Sequence, residues 1–356
     1  MVDFDPSIYY SRHFPLKSIG KKGQSLLLKR HVLIAGIGGL GTKSADLLAG
    51  LGVGKITLVD FDIVEMSNLP RQSLYTVDDL GKAKVDVAAQ RLRKRNPSIE
   101  VISVAAKLDG LNAASLLQDV DVVVDGLDRY SSRRPIHFHC MKQKIPFVFA
   151  GAVGETANLS TFIFEEEDPC MICAFGDIDD NPELTCEFQG VHPSILDITA
   201  SIQVSEVVRL LTEKEPILKK KIMTIDLLDL DFEKFEIKKN PKCPVCTKNV
   251  EEKGRIGERK RHEINLFGQS TAKITSICGR NTYIVESKLL KNLDFNHIRE
   301  NFKVLTSSEN AISFEFMRSQ ISALKSGILT IRGPSSIGLV ERIVRKVAGL
   351  TQSSVS

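Results

Sequence analysis

Two sets of residues in this sequence have types and spacings suited to chemistry. The first is Gly36-Ile37-Gly38-Gly39-Leu40-Gly41, followed by Asp60 and Asp62, then Ser67-Asn68-Leu69-Pro70-Arg71-Gln72 and Lys84. Glycines at that spacing permit a tight turn and a close backbone approach to phosphate, and Asp60 stands where a carboxylate accepts hydrogen bonds from ribose hydroxyls. The glycines alone leave an NAD-dependent oxidoreductase open. Arg71 and Lys84 favour a triphosphate, because cleaving ATP builds negative charge that cations must hold. The second set is Cys170-Met171-Ile172-Cys173 and Cys243-Pro244-Val245-Cys246, with 69 residues between the pairs. A redox site needs one C-x-x-C; two such knuckles supply the four sulfurs of a tetrahedral site, usually zinc. Four thiolates fill that sphere, so the expected role is structural.

The elements that must position these groups follow from apolar patterning. Val32-Leu33-Ile34-Ala35 and Ile56-Thr57-Leu58-Val59 flank the glycines and a helical stretch carrying Ala45, Leu48 and Leu51. Strand, glycine turn, helix, strand and acid make a βαβ nucleotide unit, in which the helix N-terminus faces phosphate. A helix is expected from Ala83 to Arg95 and a third strand over Ile99 to Val104. A short helix over Leu111 to Leu117 leads to the buried strand Asp121-Val122-Val123-Val124-Asp125. Pro146 to Ala150 reads as another strand, Asn158 to Phe164 as a strand of an antiparallel extension, and Ile222 to Ile237 as one or two more strands. The fold class is α/β, a Rossmann-like doubly wound sheet with an antiparallel extension and a zinc knuckle site, plus a small C-terminal α+β domain.

The chain has 356 residues, 42% apolar and 26% charged, an ordinary globular composition. It contains no apolar run of about 18 residues, so no membrane span is expected. Met1-Val2-Asp3-Phe4-Asp5-Pro6 lacks the pattern of an export signal, and the cytoplasm is the compartment consistent with seven cysteines used for metal or thiol chemistry. The net charge of +4 is uneven. From Lys253 onward there are 17 Lys and Arg against 8 Asp and Glu, while the rest carries 31 against 36. That asymmetry supports a division into residues 1–252, a basic linker at 253–261, and a domain at 262–356.

Several of these motifs occur together and in order in the MoeB/ThiF family, the adenylating enzymes related to ubiquitin-activating enzymes. From about Tyr10 to about Lys248 the sequence resembles that family, through Gly36 to Gly41, Asp60-x-Asp62, Ser67-Asn68-Leu69-x-Arg71-Gln72, Lys84 and the two cysteine pairs. The resemblance implies ATP-dependent adenylation of the C-terminal glycine of a ubiquitin-like modifier or sulfur-carrier protein ending in Gly-Gly. It implies that Asp60 holds ribose, that Arg71 and Lys84 hold phosphates, and that Asn68 and Gln72 orient the site. Asp128 would hold Mg²⁺; Leu127-Asp128-Arg129 stands where the family has Thr-Asp-Asn, so Arg129 replaces the usual nucleotide-contacting Asn. Asp128 could equally cap the following helix. Arg12, in Tyr10-Ser11-Arg12-His13, matches a family Arg that reaches ATP in the other subunit of a homodimer, with His13 in place of Gln. Cys186 lies where several members take the acyl group as a thioester or carry sulfur, and where other relatives only adenylate.

Cys140 reads as core, and Cys278 has no motif around it. Beyond the linker, strands are expected near Ala272–Ile277, Thr282–Val285, Ala311–Phe316 and Ile328–Ile331, with a final helix carrying Ile337, Val340, Val344 and Val347 on one side. A non-catalytic carrier- or tRNA-binding scaffold is the remaining alternative. Nucleic acid is not otherwise expected; the basic C-terminal part is where it would bind.

Overall fold

The structure, a computed structural model, describes residues 4–180, 186–247, 262–266, 271–277, 281–291 and 293–352. Two short helices, α1 (Pro6–Tyr9) and α2 (Gly20–Leu27), lead into β1 (His31–Ala35), α3 (Gly39–Leu51), β2 (Lys55–Val59), α4 (Lys84–Arg95) and β3 (Glu100–Val104). Then follow α5 (Ala113–Leu116), β4 (Val122–Asp125), α6 (Tyr130–Gln143), β5 (Phe147–Val153), β6 (Thr156–Phe162), α7 (Met171–Phe175), α8 (Cys186–Gln189), α9 (Pro193–Leu211), β7 (Lys221–Asp226) and β8 (Asp231–Glu236). The sheet order is β3-β2-β1-β4-β5-β6-β7-β8. The first five strands run parallel, and β6, β7 and β8 add on antiparallel. This is the doubly wound sheet with the extension that the patterning predicts.

Every residue of β1 and β4 is buried, which is why both read as unbroken apolar runs. On one side, Leu33, Val123, Phe147 and Phe162 pack with Ile136, Cys140 and Met171, so Cys140 is core. On the other, Leu40 packs with Ala150, Leu159, Ile195, Leu196 and Ile225. The order reverses between β1 and β4. Such a switch point opens a crevice at the carboxyl ends of the strands, where ligands of open α/β sheets bind.

Residues 1–60, 68–74 and 88–256 make one compact unit, and residues 61–67, 75–87 and 257–356 make a second. The basic stretch 253–261 lies outside the described residues. The second unit contains β9 (His262–Asn265), β10 (Thr271–Ile277), β11 (Thr282–Lys291), α10 (Phe295–Asn301), β12 (Lys303–Ser307), β13 (Ala311–Phe316), β14 (Ser319–Leu324), β15 (Ser326–Arg332) and α11 (Ile337–Gln352). Its antiparallel sheet runs β12-β13-β14-β15-β11-β10-β9. Val340, Ile343, Val344 and Val347 of α11 complete a core with Val285, Phe314, Ile321 and Leu329.

Three strands of this sheet, β9, β12 and β14, and the helix α10 go beyond the sequence expectation. Strands β13 and β14 are joined at Met317 and Arg318, whose φ values of 50° and 57° form a two-residue reverse turn. Such turns are usually announced by Asn-Gly or Gly, and neither is present. Strand β14 also buries Ser319 and Ser322, which hides its alternation.

Candidate functional site

The glycine turn joins β1 to α3 and lies at the switch point. Gly36, at φ 87°, donates its N–H to Val59 O at 2.8 Å, and Gly126 donates to Ala35 O at 2.8 Å. A Cβ on Gly41 would lie 1.9 Å from Gly36 O, and one on Gly126 would lie 2.4 Å from the same oxygen. Backbone therefore packs against backbone here, and Gly39 lies so close to Leu196 that a Cβ would sit 2.7 Å from its Cδ1. Gly41→Ala is expected to cost about 3 kcal/mol or more, since the obstacle is main chain rather than a flexible side chain. The urea midpoint measures this; an unchanged midpoint would mean that the turn is not packed as described.

Asp60 follows β2, and its Oδ2 accepts the Ile37 N–H at 2.7 Å. The carboxylate is thus fixed beside the turn. Residues 68–72 wind around Asn68, whose carbonyl accepts the N–H groups of Arg71 (3.1 Å) and Gln72 (3.0 Å). Asn68 and Gln72 are buried, and Gln72 Oε1 has no hydrogen-bond partner among the described residues. Gln72 Nε2 lies 3.8 Å from where a Cβ on Gly38 would be. A buried amide oxygen left open beside a phosphate-type turn is a position for a ligand donor. Arg71 is half-buried.

The loop after β4 is held by residues that the motif reading passes over. Asp125 is fully buried and pairs with Arg133 Nε at 2.7 Å, while its Oδ1 accepts the Leu127 N–H at 3.0 Å. Burial pushes the Asp125 carboxyl up, against the pull of Arg133. Arg133 also donates to Leu127 O and to Ala150 O. Gln203 donates to the carbonyls of Asp125 (2.8 Å) and Val148 (2.9 Å) and accepts from Ser44 Oγ at 2.9 Å. Arg133 lies in the first turn of α6 and Gln203 midway along α9, and only their partners outside those helices reveal their purpose. Beyond this braced loop Asp128 stands exposed, with Arg129 Nε 3.8 Å away. Arg129, not Asp128, is the N-cap of α6, and it makes no side-chain cap bond. The alternative role of Asp128 as a helix cap is therefore not used, and its carboxylate suits a hard cation, which takes oxygen ligands.

Arg12 is exposed, between two anchored neighbours. Tyr10 is buried and accepts from Asn96 Nδ2 at 2.8 Å, and His13 Nδ1 lies 2.8 Å from Gln24 Oε1. In the second unit, Lys84 is buried and its ammonium lies 2.9 Å from Asp62 Oδ2. Ser67 of that unit is exposed.

The four cysteines converge. Sγ–Sγ distances are 3.8 Å for Cys170–Cys173, 3.6 Å for Cys170–Cys243 and 3.5 Å for Cys173–Cys246, and all four sulfurs lie within 4.8 Å of one another. Sulfurs at about 2.3 Å from a tetrahedral zinc would be about 3.8 Å apart, so the set fits that ion. Burial pushes the Cys170 thiol up, and a cation is what would let thiolates gather here. The Asn240 N–H donates to Cys173 Sγ at 3.4 Å. His137 braces the first knuckle: its Nε2 accepts the Met171 N–H at 3.0 Å, and burial lowers its pKa to about 3, keeping the ring neutral. Cys186 opens α8; its side chain lies outside the described ones.

The ThiF family model matches residues 10–245. A molybdopterin-synthase adenylyltransferase of Escherichia coli (strain K12) is 33% identical over 237 residues, covering 67% of this chain and 95% of that protein. A sulfur carrier protein ThiS adenylyltransferase of Bacillus subtilis (strain 168) is 30% identical over 355 residues, covering 96% of this chain and 99% of that protein. The solved structure of E. coli MccB with ATP covers 67% of this chain and 75% of its own, with a TM-score of 0.59 at 24% identity, a likeness of fold. Among the described residues, no helix is long and apolar enough to cross a membrane.

Proposed function

Because the chain belongs to the ThiF family, we propose that it uses ATP to adenylate the C-terminal carboxylate of a small ubiquitin-like or sulfur-carrier protein ending in Gly-Gly. The observation that carries this reading is the meeting, at the switch point, of the glycine turn, Asp60 and the braced loop that ends in Asp128. A carrier carboxylate oxygen attacks the α-phosphorus of ATP. The bond from that phosphorus to the bridging oxygen breaks, giving acyl-adenylate and pyrophosphate. The protein's part is positioning and charge stabilisation. The glycine turn seats the nucleotide, Asp60 holds ribose, and Asn68 and Gln72 orient the site. Arg71, Lys84 and Arg12 of a second subunit hold phosphates, which makes the homodimer the working form. Arg129 adds a cation beside Asp128, the residue that would hold Mg²⁺. Held there, Mg²⁺ would supply positive charge against the charge that develops on the phosphates.

Cys170, Cys173, Cys243 and Cys246 would hold Zn²⁺, which ties the segment after β6 to the end of residues 1–252, the adenylating part. Residues 253–261 are then a linker to the module at 262–356. The outermost strand, β8, exposes Phe232 and Phe235, with Leu228 and Leu230 exposed in the turn before it. An apolar patch of that kind suits a protein partner. We place the reaction in the cytoplasm, where thiols stay reduced.

Neither a nicotinamide-dependent oxidoreductase nor a non-catalytic scaffold is favoured, since the relatives are adenylyltransferases. Screening pyrophosphate release against the host's own Gly-Gly-ending small proteins tests the reading; no release with any of them would end it. The later step is tested separately. Cys186→Ala should keep pyrophosphate exchange and lose any conjugate that a reducing agent cleaves. A conjugate that persists on a non-reducing gel would place the nucleophile elsewhere.

A further inference from the structure

The second unit joins the C-terminal module to the two segments that carry Asp62 and Lys84. Those segments form a small antiparallel ribbon. Ile63 bridges Ala83, Val64 N–H donates to Lys82 O (2.9 Å), Gly81 N–H to Val64 O (2.9 Å) and Lys84 N–H to Asp62 O (3.0 Å). The module grips this ribbon on both sides of Lys84. Ser308 Oγ accepts the Ala83 N–H at 3.2 Å. Asn310 donates twice to Asp86, from its backbone N–H at 2.8 Å and from Nδ2 at 2.7 Å. The buried Ser313 Oγ donates to Gly81 O at 2.8 Å. Gly81, at φ 81°, lies so close to β12 that a Cβ would sit 2.5 Å from Thr306 Cγ2. At the far strand of the ribbon, Arg332 pairs with Glu65.

We propose that the C-terminal module is a positioning clamp for Lys84, with Ser308, Asn310 and Ser313 as positioning residues that act through Lys84 rather than on the substrate. The placement of the contacts carries the argument. They fall on residues 81, 83 and 86, immediately around Lys84, and they are directional polar bonds rather than general apolar packing. Two donors on one carboxylate fix Asp86 in orientation as well as position. A buried hydroxyl bonded to a carbonyl fixes the Gly81 turn, because an unpaired partner there would be costly. Lys84 has a flexible stem, and a fixed backbone on both sides is what limits where its ammonium can reach. The clamp rests on the reading that Lys84 holds phosphate.

The test uses the full-length protein and carrier-dependent exchange of labelled pyrophosphate into ATP. Asn310→Ala with Ser308→Ala should lower kcat/KM for ATP by about 10- to 100-fold, the scale of a small misplacement of a catalytic group, with the melting temperature of the zinc-bearing part unmoved. In a Lys84→Ala background the same pair should add no further loss. The swap Asp86→Asn with Asn310→Asp keeps two hydrogen bonds and should restore exchange, which also serves if the alanine pair folds poorly. Equal additional loss in the Lys84→Ala background, or exchange unaffected by the alanine pair, would overturn the clamp. Full exchange by Lys84→Ala alone would instead overturn the role of Lys84 itself, so the two failures are distinguishable.

Discussion

Asp128→Ala is expected to lower carrier-dependent exchange of pyrophosphate into ATP by a factor on the order of 10³, while leaving the fold intact. The size follows from the several kcal/mol that a metal contributes to the charge developed as the phosphoryl bond breaks. The side chain is exposed and pairs only loosely with Arg129, 3.8 Å away. Its loss therefore removes no buried partner, and stability should move by less than about 0.5 kcal/mol. Asp128→Asn, which keeps shape but not charge, should fall nearly as far. The loop itself is secured by Asp125, Arg133 and Gln203, so the defect should be in catalysis and not in melting temperature. Full exchange by Asp128→Ala would remove the metal assignment.

Removal of metal from the cysteine cluster should have the other large effect, on stability. A structural zinc contributes apparent folding energy of about 10–16 kcal/mol in small peptides. If only about 5 kcal/mol of this is realised here, the melting temperature should fall by roughly 10–20 °C. The cluster joins Cys170, at the start of α7, to Cys243 and Cys246, more than 70 residues later, so its loss frees a long connection. The protein should be dialysed against a strong chelator, its metal content verified, and its unfolding followed by calorimetry. Cys173→Ser, which removes one ligand, should reproduce most of the shift. An unchanged melting curve after verified metal loss would mean that the four sulfurs are gathered for another reason.

Much of this molecule is legible in the chain because its signals are local. The glycines at 36–41 sit between two apolar runs, and the closest contact among them, Gly41 against the Gly36 carbonyl, lies within the same βαβ unit, whereas Gly36 and Gly39 also answer to Gly126 and Leu196 far along the chain. The cysteine pairs are legible by spacing, since each C-x-x-C turn brings its own two sulfurs together. Arg133 and Gln203 are not legible. Each is one polar residue in a helix, and its meaning lies in a carbonyl or carboxylate up to 78 positions away. Ser308, Asn310 and Ser313 are hidden for the same reason, with partners more than 220 positions away. In the C-terminal sheet, β14 escapes notice because Met317-Arg318 turns the chain without the usual residues and because Ser319 and Ser322 are buried polar groups. The short α10 does carry a signal, Asp294 capping Asn296 at 2.9 Å, but at seven residues it offers too little periodicity to stand out.

The central claim is that ATP is joined to a protein carboxylate, and the most direct measurement is isotope exchange with a chemically blocked tail. The protein should be incubated with ATP, Mg²⁺, labelled pyrophosphate and a Gly-Gly-ending carrier, in parallel with the same carrier carrying a C-terminal amide. Label should enter ATP with the free carboxylate and stay at background with the amide. Equal exchange with both carriers, or none with any carrier while NADH binds tightly, would contradict the account.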